Sequence, residues 1–135
     1  MPRNSTRDSG SGPDHGTPLR VAVEESGSAL VVHVAGEIDM NTAPTLNEWL
    51  ATAFATAATE NRTAVVVDFG DVEFLASVGL SVLVAHHQIG TAGGAAMHLV
   101  VSTRAVLRSI TSAQLDQLFT LHPSVEDALA AVPSN

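Results

Sequence analysis

Three observations predict an α/β fold, with a mixed sheet of four to five strands and about four helices. Two short β-like runs flank Ser26-Gly27-Ser28 near the start. The rest of the chain alternates amphipathic stripes with apolar runs, the pattern of strands joined by helices. One of those runs, "TAVVVDF" at residues 63–69, is unbroken, as expected of a parallel strand covered on both faces. A length of 135 residues suits one domain with one core.

Residues 1–17 are rich in Ser, Gly, Pro and Asp without periodicity, so they predict a disordered tail ahead of a domain at 18–135. "LRVAVEE" and "ALVVHVAG" then predict a hairpin with Gly27 in its turn. "EIDMNT" leads into a helix whose Leu46, Trp49, Leu50, Ala53, Phe54 and Ala57 fall on one stripe. Asn41 or Thr42 is expected to cap it, and Pro44 fits the first turn. The strand at 63–69 is expected to end in a loop carrying Asp68, Asp71 and Glu73. A second helix is expected over 78–89, stopped by Gly90 and Gly93-Gly94, with Val78, Val82, Ala85 and Ile89 as its stripe. Leu80, Leu83 and Val84 spread apolar surface to its other sides. Either a neighbouring helix packs that surplus or Leu80 and Ser81 are left exposed for a partner.

"AMHLVVS" predicts another buried strand, and Arg104 to Ser112 a short helix with Val106, Leu107 and Ile110 inward. Ser102 or Thr103 is its expected cap. "LFTL" predicts a last short strand. Ser124 through Asp127 resembles a capping box opening a terminal helix that runs through Val132. Crossovers between the parallel strands are expected to be right-handed.

Composition excludes several chemistries. Without cysteine there is no disulfide, thiol catalysis or cysteine-ligated zinc. All six basic residues are Arg, so the P-loop lysine is missing. A net charge of −8 repels nucleic acid and anionic membrane; it suits a protein partner with a basic patch, or serves solubility alone. No apolar run approaches the ~18 residues that cross a bilayer. The start lacks the apolar core of a secretory signal, so a cytoplasmic location is expected. Adjacent His86 and His87 would diverge on a helix, and His33 and His98 read as satisfied strand residues. The carboxylates of Asp68, Asp71 and Glu73 read as a solvated loop, so neither metal nor cofactor is expected.

Ser77 stands alone where a strand gives way to a helix, and three roles compete for it. Its hydroxyl can cap the helix by accepting from an amide two or three residues on. It can accept a phosphoryl group, because a helix N-terminus offers free N–H groups and a positive dipole end. It can be a nucleophile: "LASVG" half-matches a nucleophile elbow, and Asp116 and His122 follow in hydrolase order. Against that role, Leu75 replaces the first glycine and no oxyanion segment is present.

"GEIDMNTAPTL" at residues 36–46, followed by "VVVDFGDVEFLASVGLSVLV" at 65–84, resembles the two signature segments of the STAS domain, in particular those of bacterial anti-sigma factor antagonists. The likeness continues through "STRAVLRSI" and covers about residues 19–132. It implies the STAS fold and a non-enzymatic switch. The unmodified domain would bind an anti-sigma factor that is also a serine kinase and thereby free the sigma factor. Phosphorylation at Ser77 would end the binding, and a serine phosphatase would reset it. The resemblance maps Asp39, Gly79 and Leu80 beside the acceptor, and with the helix reading the partner-binding surface is expected around Asp39, Ala76, Val78, Gly79, Leu80 and Ser81. The acidic charge, for its part, leaves nucleic acids and membranes out of the expected partners. The family usually reads Asp-Ser-Ser/Thr-Gly-Leu where this chain has Ala76-Ser77-Val78-Gly79-Leu80. The alternative expectation is therefore a phosphorylation-independent STAS module of another signalling or transport complex.

Overall fold

The computed structural model describes residues 18–133; the expected N-terminal tail lies outside them. The five strands are β1 (Arg20–Ser26), β2 (Ala29–Ile38), β3 (Ala64–Leu75), β4 (Ala96–Val100) and β5 (Thr120–His122). The helices are α1 (Ala43–Thr59), α2 (Ser77–Gly93), α3 (Arg104–Ser112) and α4 (Val125–Ala131), with a 3-10 turn at Leu115–Gln117. In the sheet the strands lie in chain order, β1 antiparallel to β2 and all later pairs parallel. Gly27, at φ 57, takes the first position of the two-residue hairpin loop, where a side chain would be strained. The hairpin and the mixed sheet are as the sequence predicts.

From β2 onward each crossover steps one strand in the same direction, so a single handedness puts α1, α2 and α3 on one face. Pleating sends alternate residues to opposite faces. Leu30, Val32, Val65, Val67 and Leu99 meet the three helices in the main core. Val31, Val66 and Val100 meet Ala128 of α4 on the other face. Burying both faces explains the unbroken apolar run of β3. Each fully buried valine there contributes roughly 1.5–3 kcal/mol.

Four expectations are corrected. Trp49 is exposed although it lies on the α1 stripe: it occupies the flank opposite Phe54, and only the Phe54 flank meets α2. Leu107 of α3 is exposed too, leaving Val106 and Ile110 as that helix's anchors. The last strand begins at Thr120, past Leu118 and Phe119, because those two residues leave the 3-10 turn. The acidic stretch after Phe69 is no loop, since β3 continues to Leu75 and pairs with β2 from Ala35↔Asp71 to Ile38↔Leu75.

Helix α2 differs most. It buries Gly79, Leu80, Leu83, His86 and Gly90, while Val78, Ala85 and Ile89 of the expected stripe are exposed. The helix also runs through Gly90 and stops only at Gly94, in the left-handed region at φ 86. Glycines, not hydropathy, mark its inner face. A Cβ on Gly79 would lie 2.6 Å from both Ile38 and Leu75 side chains. One on Gly90 would strike the Ala95 carbonyl and lie 2.6 Å from the Phe54 ring. Such close approach lets α2 settle against both the sheet and its neighbour α1, where His86 stacks on Phe54 and its Nε2 lies 2.8 Å from Asn47 Oδ1. Burial holds His86 below the usual imidazole range.

Candidate partner-binding site

The site forms where the extended ends of β2 and β3 release the chain into α1 and α2. The Ala76 amide donates to the Ile38 carbonyl at 2.9 Å. That bond brings the residues that follow, Asp39 on one side and Ser77 on the other, to a common edge.

Asp39 is committed to the start of α1. Its Oδ1 accepts from the amides of Asn41 (2.9 Å) and Thr42 (3.1 Å). In return the Asp39 amide donates to Thr42 Oγ1 at 3.0 Å, and Thr42 Oγ1 donates to the Glu37 carbonyl at 2.7 Å. This reciprocal pair works like a capping box. Of the expected caps, Thr42 does hold the N-cap position, but without a side-chain cap bond; the carboxylate of Asp39 instead orders the turn ahead of α1 through the Asn41 and Thr42 amides. Pro44 sits in the first turn as predicted.

Ser77 is exposed, and it is not the cap of α2. The N-cap residue is Ala76, in extended backbone at φ −83 and ψ 166, with no side-chain cap bond. Ser77 is the first helical residue, one position too late to reach back to the N2 or N3 amide. Of the other predicted contact residues, Val78 and Ser81 are exposed and Ala76 is half-buried. Gly79 and Leu80 are turned inward. Gly79 acts by allowing close packing, and Leu80, 9% exposed, offers only its edge.

An open, mostly apolar groove of about 440 Å³ starts at Ser77 and follows the outer flank of α2. Ser77, Ser81, Val84 and Gln88 line it at helical spacing, and Ala113 and Leu115 form the opposite wall. The sequence reading missed two exposed residues at the strand ends that lead into α1 and α2. Met40 is 81% exposed and Phe74 is 49% exposed. With Val78 they lie within two residues of the Ala76–Ile38 hydrogen bond, giving the edge an apolar rim. A legible signal existed: Met40 interrupts a polar stretch that offers it nothing to pack against.

The hydrolase constellation is not assembled. His122 Nε2 lies 3.0 Å from His98 Nδ1, on the α4 face of the sheet, whereas α2 packs on the opposite face. His33 is satisfied by Glu24 and Asp68, as the strand reading expects. Among the described residues no group of three or more His, Cys, Asp or Glu side chains is arranged to hold a metal ion. No helix of the described residues is long and apolar enough to cross a membrane.

Known proteins agree with this architecture. The STAS domain model matches residues 20–128, and the chain belongs to that family. It is 37% identical over 115 residues to the anti-sigma-F factor antagonist RsfB of Mycobacterium tuberculosis, covering 84% of this chain and 89% of that one. RsfA of the same organism, also named an anti-sigma-F factor antagonist, is 28% identical, with 84% and 87% covered. Among solved structures, an anti-sigma factor antagonist from Mycobacterium paratuberculosis superposes with a TM-score of 0.77 at 36% identity, covering 87% of this chain and 98% of that one. The anti-sigma factor antagonist SpoIIAA, in its unphosphorylated form, shares the fold at a TM-score of 0.66 and 17% identity, with 82% and 93% covered.

Proposed function

We propose that this protein is an anti-sigma factor antagonist that binds an anti-sigma factor at the Ser77 edge, and that phosphorylation of Ser77 by that partner, a serine kinase, ends the binding. The observation that carries the proposal is the placement of Ser77: an exposed hydroxyl, unused as a cap, at the mouth of an apolar groove. The names of the mycobacterial relatives at 36–37% identity support the partner class. The role is one of binding, with no catalysis by this chain, and its place of action is the cytoplasm.

The chemistry follows from the position. Ser77 Oγ attacks the γ-phosphorus of ATP held by the kinase, the bond to ADP breaks, and the hydroxyl proton passes to a base of the kinase. The phosphoserine adds about −1.5 to −2 charges at a helix N-terminus, which the fold tolerates. The same charge enters an edge that already carries Asp39, and a partner contact there pays both desolvation and repulsion. A loss of a few kcal/mol follows, each ~1.4 kcal/mol being tenfold in affinity. A serine phosphatase restores binding by hydrolysing the ester.

The test is the affinity of the partner for wild type, Ser77→Ala and Ser77→Glu. Binding by the first two and at least tenfold loss in the third is expected; equal binding by all three overturns the switch. A second reading, a phosphorylation-independent interaction module, has one observation in its favour: Ala76 and Val78 stand where the resembled motif has an acid and a second hydroxyl. That reading predicts a complex indifferent to ATP.

A further inference from the structure

From Ala29↔Ala64 to His33↔Asp68 the β2–β3 register is regular, but the next pair is Ala35↔Asp71. Phe69 and Gly70 of β3 therefore oppose Val34 alone. Such a bulge bends its strand and raises the local twist, so it decides where everything beyond it points. Beyond this one come a second shift, where Glu73 is the extra residue between Gly36↔Val72 and Glu37↔Phe74, and then the strand ends that deliver Asp39 and Ser77.

Side chains fasten the bulge from two sides. Asp68 Oδ1 accepts from the Gly70 amide at 2.8 Å, and Asp68 Oδ2 lies 2.7 Å from His33 Nδ1. His33 Nε2 lies 2.5 Å from Glu24 Oε1, on the edge strand β1. Opposite them, Ser102 Oγ donates to the Gly70 carbonyl at 3.2 Å and Thr103 Oγ1 to the Val72 carbonyl at 3.4 Å. The two expected caps of α3 thus spend their hydroxyls on the same stretch of β3.

We infer that Glu24, His33 and Asp68 are positioning residues for the site: this carboxylate–imidazole–carboxylate chain pins the bulge at Phe69 and Gly70, and the bulge sets how the sheet presents Asp39 and Ser77. An imidazole can donate to a carboxylate at each nitrogen only when it is doubly protonated. Burial on its own lowers the His33 pKa, but the hydrogen bonds to Glu24 and Asp68, with their charges, outweigh it and raise the pKa above 6.5. On the same sheet face, α4 carries the acids Glu126 and Asp127, both exposed, in its first turn. His98 of β4 and His122 of β5 also face this side and pair with each other. The folded-state pKa being the higher one, both bonds of the pin are present below about 6.5, and one of the two is lost as pH rises through the folded value.

The inference depends on the proposed function only for calling this edge a site, and its test needs neither partner nor phosphate. Amide-exchange protection factors are measured by NMR across the His33 titration, alongside the ring signals of His33. As His33 loses its proton, protection at residues 70–75 should fall about tenfold, the worth of one charge-assisted hydrogen bond, while the amides of β4 hold steady. In His33→Gln the step should vanish. In Asp68→Asn, which keeps an acceptor for Gly70 but loses the charge, the His33 titration should move to lower pH. Tip protection independent of the His33 titration, or an equal loss in β4, overturns the inference. The wild-type profile decides this even if a variant fails to fold.

Discussion

Helices α2 and α4 both begin beside a serine, and a shift of one residue separates their uses. At α4, Ser124 is itself the N-cap, in extended backbone at φ −150 and ψ 160, and its oxygen accepts from the Asp127 amide at 3.0 Å. At α2 the cap position belongs to Ala76, and Ser77 falls one step inside the helix. The first hydroxyl is consumed in holding a helix end together. The second is presented to solvent beside free amides and a positive dipole end. The difference teaches that a serine at a helix start is available for chemistry only when something else, or nothing, caps the helix. At α2 the missing cap is tolerable because Gly79, Leu80 and Leu83 anchor the first turns on the sheet ends.

The comparison can be broken most forcefully at Gly79. A methyl there must displace Ile38 and Leu75, so Gly79→Ala should destabilise by about 1–3 kcal/mol in denaturant titration. Because it lifts the start of α2, it should also weaken partner binding; retention of both stability and binding would mean that the close packing does not position Ser77. Next in size is Ser124→Ala, expected to lose about 1 kcal/mol as the Asp127 amide loses its acceptor. The reverse experiment, Ala76→Asp, supplies the cap that α2 lacks and should gain about 0.5–1 kcal/mol, read as a raised unfolding midpoint. Smallest of all is Ser77→Ala, expected within about 0.5 kcal/mol of wild type, since no cap bond is removed. A loss there as large as in Ser124→Ala would make Ser77 a cap after all and erase the contrast.

The parts of this fold that were legible in the sequence rest on short-range patterns. Gly27 in the hairpin turn, the α1 stripe of Leu46, Leu50 and Ala53, the unbroken β3 run and the Ser124 cap each involve neighbours along the chain. What escaped depends on partners distant in sequence. An all-round apolar helix has no favoured face of its own, so the inner side of α2 was decided by Ile38, Leu75 and Phe54 meeting two glycines. The acidic end of β3 reads as a loop until β2 is laid beside it and two register shifts absorb its two extra residues. At the site, Ser77 and Asp39 were legible as candidates. That Asp39 orders the turn leading into α1, and that Met40 and Phe74 are left bare, required knowing how distant parts of the chain meet and which surfaces they leave uncovered.

The most direct measurement is phosphopeptide mapping of the full chain after incubation with ATP and the anti-sigma partner, with Ser77→Ala as control. Phosphate on Ser77 and none on Ser81, Ser124 or any residue of the Ser77→Ala protein is the expected result, accompanied by release of the partner. A stable complex that forms in the presence of ATP while Ser77 stays unmodified would contradict the switch and leave a binding module that works without it.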